Sequence, residues 1–219
     1  MYRVVFLLAP GLHLLDLGGP AQVFSELEAL GHECAVYYVA DHPEIRTAQG
    51  LVVRADTEWP ELGDDDLVFV PGWHTSGTGV GGGLSAASLR RLCAHHAGGG
   101  TVASVCSGAD ALGRAGLLDG RRFTTHHALQ DELGRRYPAA TVVRDVLFVE
   151  DSRVVTSAGI ASGIDLALHL VAARHGPASR RGWPARWSCT RGATARRRRP
   201  VPCCGTARTS VTPCTISRT

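Results

Sequence analysis

The sequence predicts an α/β domain in which helices cover both faces of a mostly parallel β-sheet. Short apolar runs rich in Val, Leu and Phe alternate with segments whose apolar residues recur at helical spacing. One run, residues 101–105, ends at a cysteine that small residues follow. A strand-to-helix turn of this kind is typical of a nucleophile elbow. With 219 residues, the chain is long enough to bury the core of one such domain.

The predicted strands are short apolar or β-branched runs bounded by Gly, Pro, Asn, Asp or Ser. The first run ends at Pro10, and the fourth ends in the Pro-Gly pair at residues 71–72. In chain order the strands are residues 2–9, 33–39, 49–53 (a short hairpin or edge strand), 66–73, 101–105, 123–126, 142–149 and 154–156.

The predicted helices carry apolar residues at helical spacing and end near Gly. Pro20 suits the first turn of a helix, so residues 14–19 are expected to form a loop before it. Ser85 is the expected N-cap of the next helix. The helices are residues 20–30, 85–96, 109–115, 128–137 and 158–173. The glycine-rich residues 77–83 lack the Lys-Ser/Thr ending of a phosphate loop and are expected to be a flexible loop.

Composition divides the chain into residues 1–176, the α/β domain, and an aberrant tail, residues 177–219. The domain has 13 arginines against 20 carboxylates, a net charge of −7, whereas the tail has 10 arginines and no acid. The three scattered cysteines of the domain, Cys34, Cys93 and Cys106, suit a reducing compartment. The start is too short an apolar run for a signal peptide, and no stretch reaches the ~20 apolar residues of a membrane span. We therefore expect a cytoplasmic protein.

The tail has no hydrophobic periodicity, and three interpretations of it are open. It is a basic nucleic-acid-binding segment, a disordered segment, or a translation in the wrong frame. Trp is encoded only by TGG, so the codons around Trp183 and Trp187 are largely fixed. Read from the third base of each codon, they can spell a helix-like Ala-Arg-Val-Ala-Arg-Ala-Met-Val-Val-Tyr. We favour the frameshift, which predicts a disordered tail.

Three candidate site residues, Asp16, Gly72 and Cys106, each lie at the end of a predicted strand or after it. The carboxyl ends of parallel strands share one sheet edge, so these residues are expected to converge there. The helix that starts after Cys106 would favour its thiolate. The alternatives are a buried core cysteine, a helix-entry carboxylate that caps backbone N–H groups near Pro20, and a turn glycine.

Five segments in order resemble the DJ/PfpI superfamily, also called class I glutamine amidotransferase-like. They are residues 15–24, 70–72, 105–109, 115–126 and 156–165. Within the superfamily they are most similar to the amino-terminal sensor domain of AraC-family transcription regulators and to isonitrile hydratases. The resemblance implies a flavodoxin-like three-layer sandwich and a homodimer. In those regulators a helix-turn-helix domain follows, and the frame-shifted tail would explain why the chain is truncated before it.

The resemblance also assigns roles to residues. Cys106 would be the nucleophile, with Asp16 the carboxylate beside its sulfur. Backbone N–H groups near Gly72-Trp73 and Cys106-Ser107 would approach a developing oxyanion. Trp73 stands where many relatives have a second glycine, which narrows the pocket. The candidates are catalytic Cys106 and Asp16, with Gly72, Trp73, Ser107 and His126 as ligand-binding or oxyanion residues.

Several chemistries are excluded by what the sequence lacks. Ser107 replaces the histidine that follows the cysteine in PfpI-type peptidases, and no downstream His-x-Glu pair completes a glutaminase triad. The adjacent pairs His95-His96 and His126-His127 have no metal-ligand spacing. We therefore expect no metal, no cofactor, and neither glutaminase nor peptidase activity.

Three functional hypotheses remain. The first is the small-molecule-sensing domain of an AraC-type regulator, with no specific nucleic-acid binding by this chain and no membrane partner. The second is an isonitrile hydratase-type enzyme that uses Cys106 and Asp16. The third is a redox-sensing or chaperone-like protein in which a low pKa makes Cys106 oxidisable.

Overall fold

The structure is a computed structural model that describes residues 1–74 and 83–176. Its central element is a six-stranded sheet. In chain order the strands are β1 (Tyr2–Leu8), β2 (Cys34–Ala40), β3 (Glu44–Arg46), β4 (Val52–Arg54), β5 (Leu67–Val70), β6 (Thr101–Val105), β7 (Arg122–Phe123), β8 (Thr141–Val142), β9 (Phe148–Asp151) and β10 (Val154–Ser157). The sheet has the order β2-β1-β5-β6-β10-β9. The other strands form two small pairs, β3 with β4 and β7 with β8.

The large sheet is mostly parallel, as the sequence predicts. Every neighbouring pair is parallel except β9 with β10, which form an antiparallel hairpin. All four residues of β5 are buried, as is usual for a central strand covered on both faces. The predicted hairpin near residues 49–53 is also confirmed, because β3 and β4 pair antiparallel.

Helices cover both faces of this sheet and complete a three-layer sandwich. The helices are α1 (Leu14–Ser25), α2 (Ala86–Ala97), α3 (Ala109–Arg114), α4 (Gln130–Arg136) and α5 (Ser162–His175). Successive strand residues point to opposite faces. Phe6 of β1 packs toward α1, where its ring centroid lies 6.2 Å from that of Phe24. Val5 joins the opposite core cluster with Leu92 of α2 and Leu112 of α3.

The prediction for the start of α1 was wrong by six residues. The helix begins at Leu14, and Pro20 lies inside it. A proline inside a helix removes one backbone hydrogen bond. The helix packs closely against α5 at this point: a Cβ on Gly19 would lie 2.7 Å from Ile164, and one on Gly163 would lie 3.4 Å from the ring of Pro20. Tertiary contacts therefore override the local preference of proline for a helix start.

Other predicted boundaries are corrected where a turn interrupts the apolar pattern. The predicted helix 158–173 begins only at Ser162, since Gly159 and Ile160 have φ angles of 143° and 39°. The predicted strand 142–149 is split between β8 and β9, with Asp145 at φ 57° in between. The predicted helix 128–137 starts with the 3₁₀ turn His127–Leu129 before α4, and the strand predicted at 123–126 stops at Phe123.

The N-cap prediction for α2 is confirmed, because the Ser85 hydroxyl accepts a hydrogen bond from the Ser88 amide at 3.2 Å. Most of the predicted loop 77–83 and the whole predicted tail 177–219 lie outside the described residues. Within the described ranges, every helix is too short or too polar to cross a membrane.

Candidate functional site

The predicted elbow is present at Cys106, which joins β6 to α3. Cys106 has φ 56°, a conformation that non-glycine residues seldom adopt, and a 3₁₀ turn, Cys106–Gly108, follows it. The turn packs tightly on the end of β5: a Cβ on Gly108 would collide with the carbonyl of Val70 and lie 3.1 Å from that of Pro71. The small residues after the cysteine are therefore required by the close approach of two backbones.

Asp16 lies against the elbow, in the first turn of α1, and its side chain is fully buried. A Cβ on Gly72 would collide with Asp16 Oδ2 and lie 2.7 Å from Cys106 Cβ. The structure thus brings together the three residues that lie at or after the ends of predicted strands. The polar groups that face its carboxyl group are the Gly72 amide, the Cys106 thiol and the Ile160 amide, so Asp16 is directed toward the elbow and not toward the backbone near Pro20.

The environment of Asp16 favours its protonated form. Burial raises the pKa of the carboxyl group from 3.8 to about 6, and the Gly72 amide, the Cys106 thiol and the Ile160 amide oppose that rise only in part. A buried carboxylic acid with a pKa near neutrality can hold or release a proton under physiological conditions. Asp16 is therefore suited to exchange a proton with the neighbouring sulfur.

The thiol of Cys106 is protonated at neutral pH, contrary to the expectation of a thiolate. Burial, followed by the negative charge of Asp16, raises the pKa of Cys106 to about 12. The amide and hydroxyl of Ser107 lower it, but by less than burial raises it. The six-residue helix α3 starts only after the 3₁₀ turn. Burial and the charge of Asp16 therefore act against the low pKa that the redox hypothesis requires.

Ser107 and Trp73 are joined by two hydrogen bonds. The Trp73 amide donates to Ser107 Oγ at 2.7 Å, and Ser107 Oγ donates to the Trp73 carbonyl at 2.8 Å. Both residues are buried. The Trp73 amide is thus already engaged and does not serve as an oxyanion donor, whereas the Ser107 amide lies beside the sulfur. The pair instead fixes the end of β5 to the elbow.

A pocket of about 320 Å³ opens beside Cys106 and is called the Cys106 pocket below. Apolar and imidazole side chains form most of its lining, and the lining residues are His13, Trp73, His74, Cys106, Ser107, His126, Ala128, Leu129 and Ile160. No arginine is among them. Burial lowers the pKa of His13 and of His126, and neighbouring imidazoles lower both further, so these walls are neutral at pH 7.

His126 lines this pocket as predicted, but its partner in sequence does not. Nδ1 of His126 accepts a hydrogen bond from the Ala128 amide at 3.3 Å, which leaves Nε2 to carry the proton of the neutral ring. The ring of His127 stacks on it with centroids 4.2 Å apart. Among the described residues, no group of three or more His, Cys, Asp or Glu side chains is arranged to hold a metal ion.

The sequence interpretation missed several residues of the site. His13 and His74 each lie two residues outside a predicted motif, and that position was the only signal available for them. Thr125, which lies in a recognised motif, donates through Oγ1 to the Cys106 carbonyl at 2.7 Å and so supports the strained elbow. A Cβ on Gly159 would lie 3.4 Å from Cys106 Sγ, which places the turn before α5 directly beside the thiol.

The chain resembles known proteins over nearly all of its described length. Isonitrile hydratase of Pseudomonas putida is 35% identical over 170 residues, 77% of this chain and 70% of that protein. The HTH-type transcriptional regulator CdhR of Pseudomonas aeruginosa is 30% identical over 174 residues, 78% of this chain but only 50% of the regulator.

Among solved structures, an AraC family transcriptional regulator from Pseudomonas putida superposes with a TM-score of 0.70. Its sequence identity is 23%, and the match covers 83% of this chain and 97% of that chain, so this likeness concerns the fold. The family model of the DJ-1/PfpI family matches residues 2–173. With the elbow, the sheet order and these matches in agreement, the chain belongs to the DJ-1/PfpI family.

Proposed function

We propose that residues 1–176 form the ligand-sensing domain of an AraC-type transcription regulator. The observation that carries this proposal is the Cys106 pocket, which among the described residues is lined mostly by apolar and imidazole side chains and by no arginine, beside a thiol whose pKa is raised by burial. A cavity of about 320 Å³ suits a small organic ligand. A protonated thiol is a weak nucleophile and a weak hydrogen-bond donor, which suits recognition better than turnover.

The similarity to CdhR and the shared fold of the AraC family regulator support this proposal. In CdhR the matching region is half of the protein, as expected for one domain of a regulator. The ligand would be a small molecule that carries no negative charge, because the described residues of the pocket offer imidazoles and apolar groups but no cationic side chain.

Incubation with cyclohexyl isonitrile and with methylglyoxal tests the proposal, with Cys106→Ala as the control. For a sensor we expect no product above the level formed with Cys106→Ala, as measured by chromatography. Product formation at least tenfold faster than with Cys106→Ala would overturn the sensor proposal and support an enzyme instead.

The alternative is a cysteine-dependent enzyme of the isonitrile hydratase type, and the pair Asp16–Cys106 favours it. Asp16, with a pKa of about 6, is placed to exchange a proton with the sulfur. The sulfur would add to the isonitrile carbon while a proton reaches that carbon, and water would then displace the sulfur. The net change is addition of one water to R–NC to give R–NH–CHO, and the thiol is regenerated.

We propose further that the protein is a cytoplasmic homodimer, as the family resemblance suggests. Light scattering coupled to size-exclusion chromatography tests this, since a dimer of the 23.2 kDa chain doubles the measured mass. A mass of one chain at micromolar concentration would contradict the dimer.

For residues 177–219 we propose translation out of frame, which would make the tail disordered and leave the helix-turn-helix region encoded downstream in another frame. Because residues 1–176 are acidic, specific DNA binding by this chain is not expected. Resequencing of codons 174–182 tests the frameshift, and independent reads that support an intact frame would refute it.

A further inference from the structure

A second pocket lies directly beside the Cys106 pocket. It has a volume of about 370 Å³ and is called the Asp145 pocket here. His126 and Ile160 line both pockets, so the two cavities share these side chains as walls. Gly159 lines only the Asp145 pocket, yet a Cβ at this position would lie 3.4 Å from Cys106 Sγ and 3.3 Å from the His126 ring. A residue that lines the second cavity therefore lies next to the thiol.

Gly159 has no side chain, and its backbone packs against Cys106 and the His126 ring at the border between the two pockets. Gly159 has φ 143°, and its amide donates to Ser162 Oγ at 2.8 Å, which anchors the turn to the first residue of α5. Ile160, the next residue, is 49% exposed and has φ 39°, an unusual conformation for a β-branched residue. An anchored turn thus holds an apolar side chain at the border between the two pockets.

The charges of the two pockets differ. Asp145 lines the second pocket in the turn between β8 and β9, and its carboxylate makes no ion pair with any residue in the described part of the chain. The neighbouring Arg144 is engaged elsewhere, with Asp131 at 2.5 Å and with Gln130 at 3.4 Å. Among the residues that the structure describes, no arginine lines either pocket, and the chain contains no lysine. One end of the combined site is therefore neutral and the other is acidic.

We propose that the two pockets form one extended site for an elongated ligand that carries an ammonium-type cation. The uncharged end of the ligand occupies the Cys106 pocket, its body passes Ile160, and its cation faces Asp145. Ile160 is then a specificity-determining residue, because it lines both pockets and any ligand that spans them must pass its side chain. This inference rests on the proposed function in taking the Cys106 pocket as the ligand site, and it adds the length and charge of the ligand.

Alkylation of Cys106 in the full chain tests the proposal without the natural ligand. The probes are N-pentyl iodoacetamide and its analogues with a terminal ammonium or a terminal carboxylate. In each reaction the sulfur forms a bond to the methylene carbon, iodide leaves, and the thiol proton passes to the buffer. Rates at pH 8.5 are measured by peptide mass spectrometry and divided by the rate with plain iodoacetamide in the same variant. The exposed Cys93 reports the intrinsic reactivity of each probe.

For the native chain we expect the ammonium probe to modify Cys106 about two- to fivefold faster than the pentyl probe, the factor of an exposed ion pair, and the carboxylate probe to be slowest. Asp145→Asn should abolish this order; asparagine tolerates the positive φ at this position. Asp119→Asn, an exposed acid outside both pockets, should preserve it. Ile160→Ala should accelerate all three long probes relative to iodoacetamide.

The same order of rates in Asp145→Asn as in the native chain, or no charge preference at all, would overturn the extended site. The assay requires neither turnover nor a natural effector. Failure of the sensor proposal, seen as isonitrile turnover, would therefore leave the labelling result intact, and a failed labelling preference would leave the sensor proposal standing.

Discussion

Replacement of Asp16 by asparagine should stabilise the protein in a pH-dependent way. The pKa of the buried carboxyl group rises from 3.8 to about 6 on folding. At 1.36 kcal/mol for each pH decade, this difference corresponds to about 3 kcal/mol. Asparagine has nearly the same shape but never bears the charge, so Asp16→Asn avoids the cost of burying a carboxylate.

The direction of this pH dependence follows from the raised pKa of Asp16. Below pH 3.8 the carboxyl group is protonated in both the folded and the unfolded chain, so the folded chain does not bury a charge. Its free energy of unfolding is then higher than at neutral pH by the full contribution of Asp16. This contribution is lost as the pH rises through about 6, where the folded protein must bury the charge. The stability gained by Asp16→Asn over the native chain should therefore grow between pH 4 and pH 7 and then level off.

Urea denaturation of both proteins at pH 4.5, 6 and 8 measures this difference, because the other titrating groups are common to the two chains. The exposed Asp119→Asn serves as the matched control and should show no such growth. A difference between Asp16→Asn and the native chain that stays constant with pH, or that shrinks as pH rises, would refute the reasoning.

Three other predictions concern the elbow. Asp16→Asn should lower the pKa of Cys106 below about 12, because it removes a negative charge beside the sulfur. Cys106 should then react faster with iodoacetamide at pH 9 than it does in the native chain. An unchanged rate would contradict this prediction. Gly108→Ala should destabilise the fold by about 1–3 kcal/mol in urea denaturation, because its methyl group would collide with the backbone carbonyl of Val70. Gly18→Ala is the control and should have no such effect, because no atom lies within 4 Å of a Cβ at that position. Equal effects of the two substitutions would argue against the close backbone approach at Gly108. Ser107→Ala should lower the free energy of unfolding by about 1–3 kcal/mol, measured in the same way, because it leaves the buried amide and carbonyl of Trp73 without their hydrogen-bond partner. A loss of less than about 0.5 kcal/mol would contradict this prediction.

The fold was predictable from the sequence where local pattern and tertiary structure agree. The strand at residues 101–105 and the small residues after Cys106 indicate the elbow, since a tight backbone approach leaves its mark on composition. Pro20 misled the prediction of α1, because the contact of Gly19 with Ile164 that stabilises this helix joins residues far apart in sequence. A local pattern does not record such contacts.

The site was predictable in part for the same reason. Asp16, Gly72 and Cys106 follow strands, and strand ends can be recognised from the sequence. His74 and Ile160 are walls contributed by turns, whose course depends on the elements that they connect. The thiolate expectation failed because burial of Cys106 and the proximity of Asp16 are properties of the folded chain.

The backbone contacts at Gly72 and Gly108 divide the site into a part that resists change and a part that accepts it. Around the sulfur, even one added methyl group meets the carboxylate of Asp16 or a strand carbonyl. The opposite rim consists of side chains on turns, such as His74, His126 and Ile160. Substitutions at the rim can therefore change the shape and polarity of the Cys106 pocket while the surroundings of the thiol stay constant.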